Sequence, residues 1–359
     1  MGIFDPRTSG RAHEEVVFFH DPESGLRAIV AIHSTALGPG LGGTRFFPYE
    51  KEEDALRDAL RLSEGMSYKN ALAGLDLGGG KAVIWGDPVK DKSEALLRAY
   101  GRFVQSLHGR YVTACDVGTY VRDMDVVARE CDYVTGRSED HGGAGDSSVL
   151  TAFGVFTSMR AAAKHRYGSD DLAGKRVGVS GVGKVGRHLV GHLLEAGAEV
   201  LATDINPAAR KWAEEHAPSV TWVEDNESLM AQGLHVYAPC ALGGVVNERT
   251  VGTLKTDIIC GAANNQLEDL SAAERLTEAD ILYCPDYLVN SGGVVQVGDE
   301  YYGPFDFARA KRRVSGLYDT ALSILDRAES EKVTTVAAAD ALAEERMDAV
   351  GRLQRIRIY

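Results

Sequence analysis

Three features of the sequence predict an α/β chain of two domains. Over roughly the first 140 residues, short apolar runs of strand character alternate with stretches of helical spacing. The run Asp140-His141-Gly142-Gly143-Ala144-Gly145-Asp146-Ser147-Ser148 then breaks the composition and suits a domain boundary or hinge. Beyond it, the strand-like Arg176–Ser180 leads at once into Gly181-Val182-Gly183-Lys184-Val185-Gly186, a helix, the strand Glu199–Thr203 and Asp204. GxGxxG alone is weak evidence. Between a strand and a helix, with an acidic residue about 20 positions on, it marks a doubly wound, Rossmann-type dinucleotide-binding sheet.

The elements follow in order. Val16–Phe19 and Leu26–Ile32 read as strands around the turn chemistry of Asp21–Gly25. Gly38–Gly43 reads as a glycine-dense loop entering Thr44–Tyr49, and Glu52–Met66 has helical spacing. Gly78-Gly79-Gly80 reads as a segment able to take positive φ or to admit a close neighbour. It leads to Lys81 at the head of the apolar strand Ala82–Trp85. A helix over Ser93–Leu107 precedes the strand Tyr111–Ala114, which ends beside Asp116. A long helix from Val149 to His165 follows the joint, capped by Ser147 or Ser148. Later strands, Leu234–Ala238, Ile258–Gly261 and Ile281–Cys284, run into loops that an open parallel sheet turns toward its ligand crevice. Phe305–Ala328 reads as one amphipathic helix and Val336–Met347 as the last.

Two constellations carry chemistry. Lys81, anchored beside a buried strand, is poorly hydrated, and desolvation favours its neutral form. That makes it a candidate general base. Lys69, at the end of the helix from Glu52, is a second cation that suits a substrate carboxylate, and Asp116 completes an acid/base set. The bland alternative is a glycine turn before a surface lysine. In the second constellation Gly181 permits the tight turn, Gly183 the approach of a pyrophosphate, and Gly186 close helix–strand packing. Ser180 through Gly186, including Val182, Lys184 and Val185, then cradles phosphates on a helix N-terminus. The carboxylate of Asp204 accepts from ribose hydroxyls and repels a 2′-phosphate, so NAD is expected rather than NADP. Asn206 followed by Pro207 already supplies a helix cap, which weakens a capping role for Asp204.

Bulk properties exclude several classes. The net charge is −13 with no basic run, so nucleic acid and anionic membranes are poor partners. Five dispersed cysteines, Cys115, Cys131, Cys240, Cys260 and Cys284, without a CxxC pair fit neither a disulfide framework nor structural zinc. No metal site is expected. The opening Met1-Gly2-Ile3-Phe4-Asp5-Pro6 has no signal-peptide pattern, and Pro6 spoils a myristoylation motif. A cytoplasmic protein is expected.

Longer stretches carry a resemblance. His33–Pro39, Gly42–Arg45, Gly65–Asn70, Leu77–Pro88, Tyr111–Thr119, Gly261–Leu267 and Pro285–Tyr287 resemble the amino acid dehydrogenases that act on glutamate, leucine, phenylalanine and valine. The likeness runs from about Glu14 to the last helix. It implies an N-terminal substrate domain over residues 1–140, with the C-terminal helix 334–359 packing back on it. An NAD domain would occupy 141–333, with a cleft between the two. The implied activity is NAD-dependent oxidative deamination of an aliphatic L-amino acid to its 2-oxo acid and ammonia, and the reverse.

The same resemblance implies residue roles. Lys81 is the base, Asp116 relays the amine proton, and Lys69 with Asn264 binds the substrate carboxylate. Leu41, Gly42, Met66, Ala114, Val294 and Val297 line the side-chain pocket; all are small or aliphatic, with no cation for a second carboxylate. Thr151, Ala238, Cys240 and Asn264 meet the cofactor. Cys115 leans toward the valine branch, whereas Ser291, where the family usually has alanine, leaves the preference open toward leucine or phenylalanine. Homo-oligomerisation is expected on the same basis. A 2-hydroxy acid dehydrogenase would need a paired His and an Arg, and no such set stands out. A silent NAD module would have lost Lys69, Lys81 or Asp116, and all three are present.

Overall fold

The computed structural model describes residues 12–354. Met1 through Pro6, on which the reading of the N-terminus rests, lies outside the described residues. Contacts divide the chain into two units: Met1–Ser147 with Val294–Ala310 and Leu342–Tyr359, and Ser148–Gly293 with Lys311–Ala341.

The first unit holds a five-stranded sheet of β1 (Glu15–Asp21), β2 (Leu26–Ser34), β3 (Gly40–Phe47), β4 (Gly78–Trp85) and β5 (Tyr111–Cys115), in the order β1-β2-β4-β3-β5. β1, β2 and β4 pair antiparallel, whereas β3 runs parallel to both β4 and β5. Strand side chains alternate between faces, and each face has its own core. Leu26, Val30, Ile32, Phe46, Ala82 and Ile84 pack on Leu96, Tyr100 and Phe103 of the helix Glu94–Ser106. Ile29, Ala31 and Val83 pack on Ala55, Ala59 and Leu60 of the helix Glu52–Leu72.

The first glycine run differs from its sequence reading, and the second follows one of its two alternatives. Gly40–Gly43 is the start of β3, so Leu41 and Gly42 lie on a strand and not in a loop. Gly78, Gly79 and Gly80 are likewise strand residues without positive φ. Their role is close approach. A Cβ at Gly79 would lie 2.0 Å from Ser67 Oγ, and one at Gly80 2.6 Å from Tyr111 Cδ2.

A continuous second domain over 141–333 does not match these units either. Within the first unit, the Val294–Tyr302 part of the helix Gly292–Tyr302 is stitched to the joint and to the segment just before it. Gln296 Nε2 donates to the Ala144 carbonyl at 2.7 Å, and Glu300 accepts from the N–H groups of Gly136 (2.9 Å) and Ala144 (3.0 Å). The last helix spans Thr335–Gln354. Its residues 342–354 belong to the first unit. There Glu344 accepts from Tyr68 OH at 2.6 Å, and Arg346 donates to the Leu75 carbonyl at 2.7 Å and to Asp76 at 2.8 Å.

The second unit holds β6 (Arg176–Ser180), β7 (Glu199–Thr203), β8 (Thr221–Trp222), β9 (Leu234–Pro239), β10 (Thr256–Ile259) and β11 (Leu282–Tyr283). All pair parallel, in the order β11-β10-β9-β6-β7-β8. That is the doubly wound order, with its switch point between β6 and β9. The helix Pro207–His216 is capped by Asn206, which accepts from the Ala208 N–H at 3.0 Å. The joint is followed by the helix Ser148–Tyr167, which takes in Ser148 itself. The single helix expected over Phe305–Ala328 is two, Phe307–Ser315 and Leu317–Glu331, interrupted at Gly316, a poor helix former. Among the described residues no helix is long and apolar enough to cross a membrane.

Candidate active site

The face of the first sheet beneath the helix Glu52–Leu72 carries the candidate chemistry. Alternation along β4 places Gly79, Lys81 and Val83 on that face, and Arg45 on β3 is the register partner of Val83. Lys81 is only 5% exposed, and its Nζ donates to Asp116 Oδ2 at 2.5 Å. Asp116 sits in a turn after β5. Its N–H donates to Thr119 Oγ1 at 2.9 Å, the Thr119 N–H returns to the Asp116 carbonyl at 3.0 Å, and Thr119 Oγ1 donates to the Thr44 carbonyl at 2.7 Å. Gly43 lets this turn come close, since a Cβ there would lie 2.8 Å from Asp116 Cβ.

Burial pushes the Lys81 ammonium below its ordinary range; Asp116 opposes that shift and the nearby Arg45 adds to it. Burial by itself would raise the Asp116 carboxyl, but Lys81 and Arg45 outweigh it and hold the group below the usual carboxylate value. The outcome is an ionised carboxylate beside an amine that gives up its proton more readily than a free lysine.

Arg45, Asp58 and Tyr49 are absent from the sequence-based site. Arg45 Nε lies 3.3 Å from Asp116 Oδ2, and its Nη1 donates to Asp58 Oδ2 at 2.8 Å. Tyr49 OH and Arg61 Nη2 also donate to Asp58, at 2.6 and 3.1 Å. Arg45 stands in one of the quoted motifs, but Asp58 and Tyr49 gave no signal, because only the fold aims them at Arg45. Asn70 is a further omission: buried, it donates from Nδ2 to the Gly78 carbonyl at 2.6 Å and ties the helix end to β4.

The other expected substrate residues take these places. Lys69 is half-buried in the last turn of the helix Glu52–Leu72, three residues after Met66 on the same helix. Leu41, Gly42 and Ala114 lie on the parallel pair β3 and β5, and a Cβ at Gly42 would lie 3.4 Å from Met66 Cγ. Val294 and Val297 lie one turn apart on the helix Gly292–Tyr302.

The second unit gathers the expected nucleotide residues at its switch point. Ser180 ends β6, Ala238 is the last residue but one of the neighbouring β9, and the Cys240 N–H donates to the Ser180 carbonyl at 2.7 Å. Gly181 has φ +103°, and a Cβ there would lie 2.7 Å from Ala241 Cβ. Gly183 caps the helix Lys184–Glu195 without a side-chain hydrogen bond, and nothing lies within 4 Å of a Cβ built on it. A helix start entered through a glycine with free space beside it suits a pyrophosphate. A Cβ at Gly186 would lie 2.1 Å from the Gly181 carbonyl oxygen. Asp204 follows β7 and accepts from the N–H groups of Val182 and Asn206, both at 2.7 Å.

Asn264 is exposed and accepts at Oδ1 from Asn290 Nδ2 at 2.8 Å. Thr151 is half-buried on the helix Ser148–Tyr167. Burial pushes the Cys240 thiol up to about 11, so it is no nucleophile at neutral pH.

Two family descriptions match the sequence: "Glu/Leu/Phe/Val dehydrogenase, dimerisation domain" over residues 13–133, and "Glutamate/Leucine/Phenylalanine/Valine dehydrogenase" over 142–204 and 203–351. The chain belongs to the Glu/Leu/Phe/Val dehydrogenase family. This amino acid dehydrogenase is 60% identical to the valine dehydrogenase of Streptomyces virginiae, over 93% of this chain and 94% of the relative. It is 50% identical to the leucine dehydrogenase of Geobacillus stearothermophilus, over 94% and 91% of the two chains. Among solved structures, the L-tryptophan dehydrogenase of Nostoc punctiforme superposes on the dehydrogenase with a TM-score of 0.85 at 41% identity, covering 95% and 97%.

Proposed function

We propose that this dehydrogenase oxidises a branched-chain aliphatic L-amino acid, valine foremost, with NAD to the 2-oxo acid, ammonia and NADH, and runs the reverse amination. The carrying observation is the Lys81–Asp116 pair on the buried face of the first sheet. NAD, when bound, supplies the hydride acceptor. The rest is work for the side chains. Lys69 binds the substrate carboxylate, a task the family resemblance also gives Asn264; with Asn264 Oδ1 engaged by Asn290, the donor side of its amide suits that task. Asp116 takes the proton from the substrate ammonium, and neutral Lys81 activates the water that attacks the iminium carbon.

Leu41, Gly42, Met66, Ala114, Val294 and Val297 supply an apolar side-chain pocket, which disfavours glutamate. Valine and leucine differ by one methylene, worth about 1–3 kcal/mol in such a pocket, so the valine preference rests chiefly on the 60% identity to a valine dehydrogenase. NADH absorbance over a panel of branched-chain, straight-chain and aromatic L-amino acids tests it. We expect valine to give the highest kcat/KM with NAD and little turnover with NADP. Preference for leucine, phenylalanine or NADP would overturn the corresponding part.

Self-association through the first unit is proposed from the "dimerisation domain" description of residues 13–133, and sedimentation as a monomer would remove it. A reducing cytosol as its compartment is proposed from five cysteines that are all free in the structure. Export of the full-length chain into the culture medium would count against that.

A further inference from the structure

We propose that Arg45, clamped at its far edge by Asp58, is the positioning residue that holds the Asp116 carboxylate against Lys81 Nζ. The proposal rests on the reading of Lys81 and Asp116 as the acid/base pair and adds the device that aims it. A guanidinium is a planar fork of donors, able to serve two carboxylates from two edges. Arg45 does this, with Nε 3.3 Å from Asp116 Oδ2 and Nη1 2.8 Å from Asp58 Oδ2.

Asp58 is itself held. Tyr49 OH donates to Oδ2 at 2.6 Å and Arg61 Nη2 to Oδ1 at 3.1 Å. The chain of contacts therefore runs from the helix Glu52–Leu72 through β3 to the turn after β5, and ends on the amine of β4. Without it, Asp116 would be located by its backbone turn and by Lys81 alone, and Lys81 must change its charge during the reaction. Arg45 does not titrate in the working range, so it keeps the carboxylate in place while Lys81 gains and loses a proton.

The charged and titratable groups around the pair come from every neighbouring element. They are Arg45 from β3, Tyr49 after it, Asp58 and Arg61 from the helix, and Tyr111 and Cys115 from β5; Glu300 and Asp146 act on Cys115 beside Asp116. Arg45 lowers the proton affinity of Lys81, and Asp58 raises it. Removing one or the other must therefore move the rising limb of kcat/KM against pH in opposite directions.

The test is the pH profile of kcat/KM for Arg45→Gln, Arg45→Lys and Asp58→Asn, beside Lys81→Ala, each checked for folding by its melting curve. Arg45→Gln is expected to lower kcat about 10²-fold through misplacement of Asp116, and to move the limb about one pH unit to the alkaline side. Asp58→Asn moves it to the acid side. Arg45→Lys keeps the charge and therefore the limb, but loses kcat, because an ammonium cannot bridge both carboxylates in plane. A folded Arg45→Gln enzyme with kcat and limb unchanged overturns the proposal. So does a set in which all three variants lose kcat with no movement of the limb, since that is plain structural damage. If Arg45→Gln does not fold, the lowered kcat with an unmoved limb in Arg45→Lys and the acid-side movement in Asp58→Asn decide alone. Lys81→Ala separates the two levels: full activity there sinks the acid/base reading itself, whereas an inactive Lys81→Ala beside an unmoved limb in Arg45→Gln sinks only the role of Arg45.

Discussion

Lys81→Ala is expected to lower kcat about 10³-fold, within the range that a positioned general base supplies, with the fold retained. Asp116 remains paired with Arg45 and is not left as a lone buried charge, which limits the structural damage. Lys81→Arg should fail as well, because a guanidinium does not deprotonate in the working range. In the parent enzyme kcat/KM should rise with pH along a limb lying below the free-lysine value of about 10.4, since burial lowers the proton affinity of Lys81. The amine must be neutral to act, so activity grows as pH climbs through that limb, and the limb should vanish in Lys81→Ala. Lys69→Ala, by contrast, should chiefly raise the KM for the amino acid. Steady-state NADH formation across pH measures all of this. Turnover of Lys81→Ala near that of the parent would remove Lys81 from the reaction.

Gly79→Ala should destabilise the chain by about 3 kcal/mol, the upper end for overpacking a filled core. The melting temperature would fall by ~6–12 °C for a unit of this size. The added methyl would meet Ser67 Oγ at 2.0 Å, the Ser67 backbone nitrogen at 2.3 Å and the Ser63 carbonyl oxygen at 2.5 Å. Two of those three are main chain, so no side-chain rotation relieves the clash and the helix Glu52–Leu72 must move off the sheet. Lys69 and Met66 travel with it. Gly65→Ala on the same helix is the control: nothing lies within 4 Å of its Cβ, and alanine favours a helix over glycine by about 1 kcal/mol. Thermal melts of both variants check the contrast; equal stability of Gly79→Ala and the parent would refute the close-approach account of the triple glycine.

Local chemistry made much of this legible. The strand-glycine-helix pattern at Arg176–Gly186 is written in adjacent residues, and so is the Asn206-Pro207 cap. Lys81 stands out because it adjoins glycine at the head of an apolar strand, and Asp116 because it follows another such strand just ahead of Gly118. What failed to show was whatever depends on two distant segments meeting. Three glycines in a row look alike whether a turn bends at them or a helix lies on them; Ser67 and Tyr111 decide the matter, and neither is near in sequence. Asp58 and Tyr49 are ordinary residues until β3 and the helix after it bring them to Arg45 and to each other. Gly316 is hard to see as a break in the sequence, since a single glycine costs an amphipathic helix only about 1 kcal/mol.

The interleaved course of the chain bears on the order in which it is made. The strands of the first sheet have all been synthesised once Cys115 has been added. Yet Gln296 and Glu300, which tie down the segment near Gly136 and Ala144, and Arg346, which holds Leu75 and Asp76, are translated only after the whole parallel sheet of the second unit. Domains generally mature in the order of synthesis. Here the unit begun first is completed last: a nascent chain ending at Ala341 would hold every residue of the second unit but still lack the Leu342–Gln354 stretch of the first.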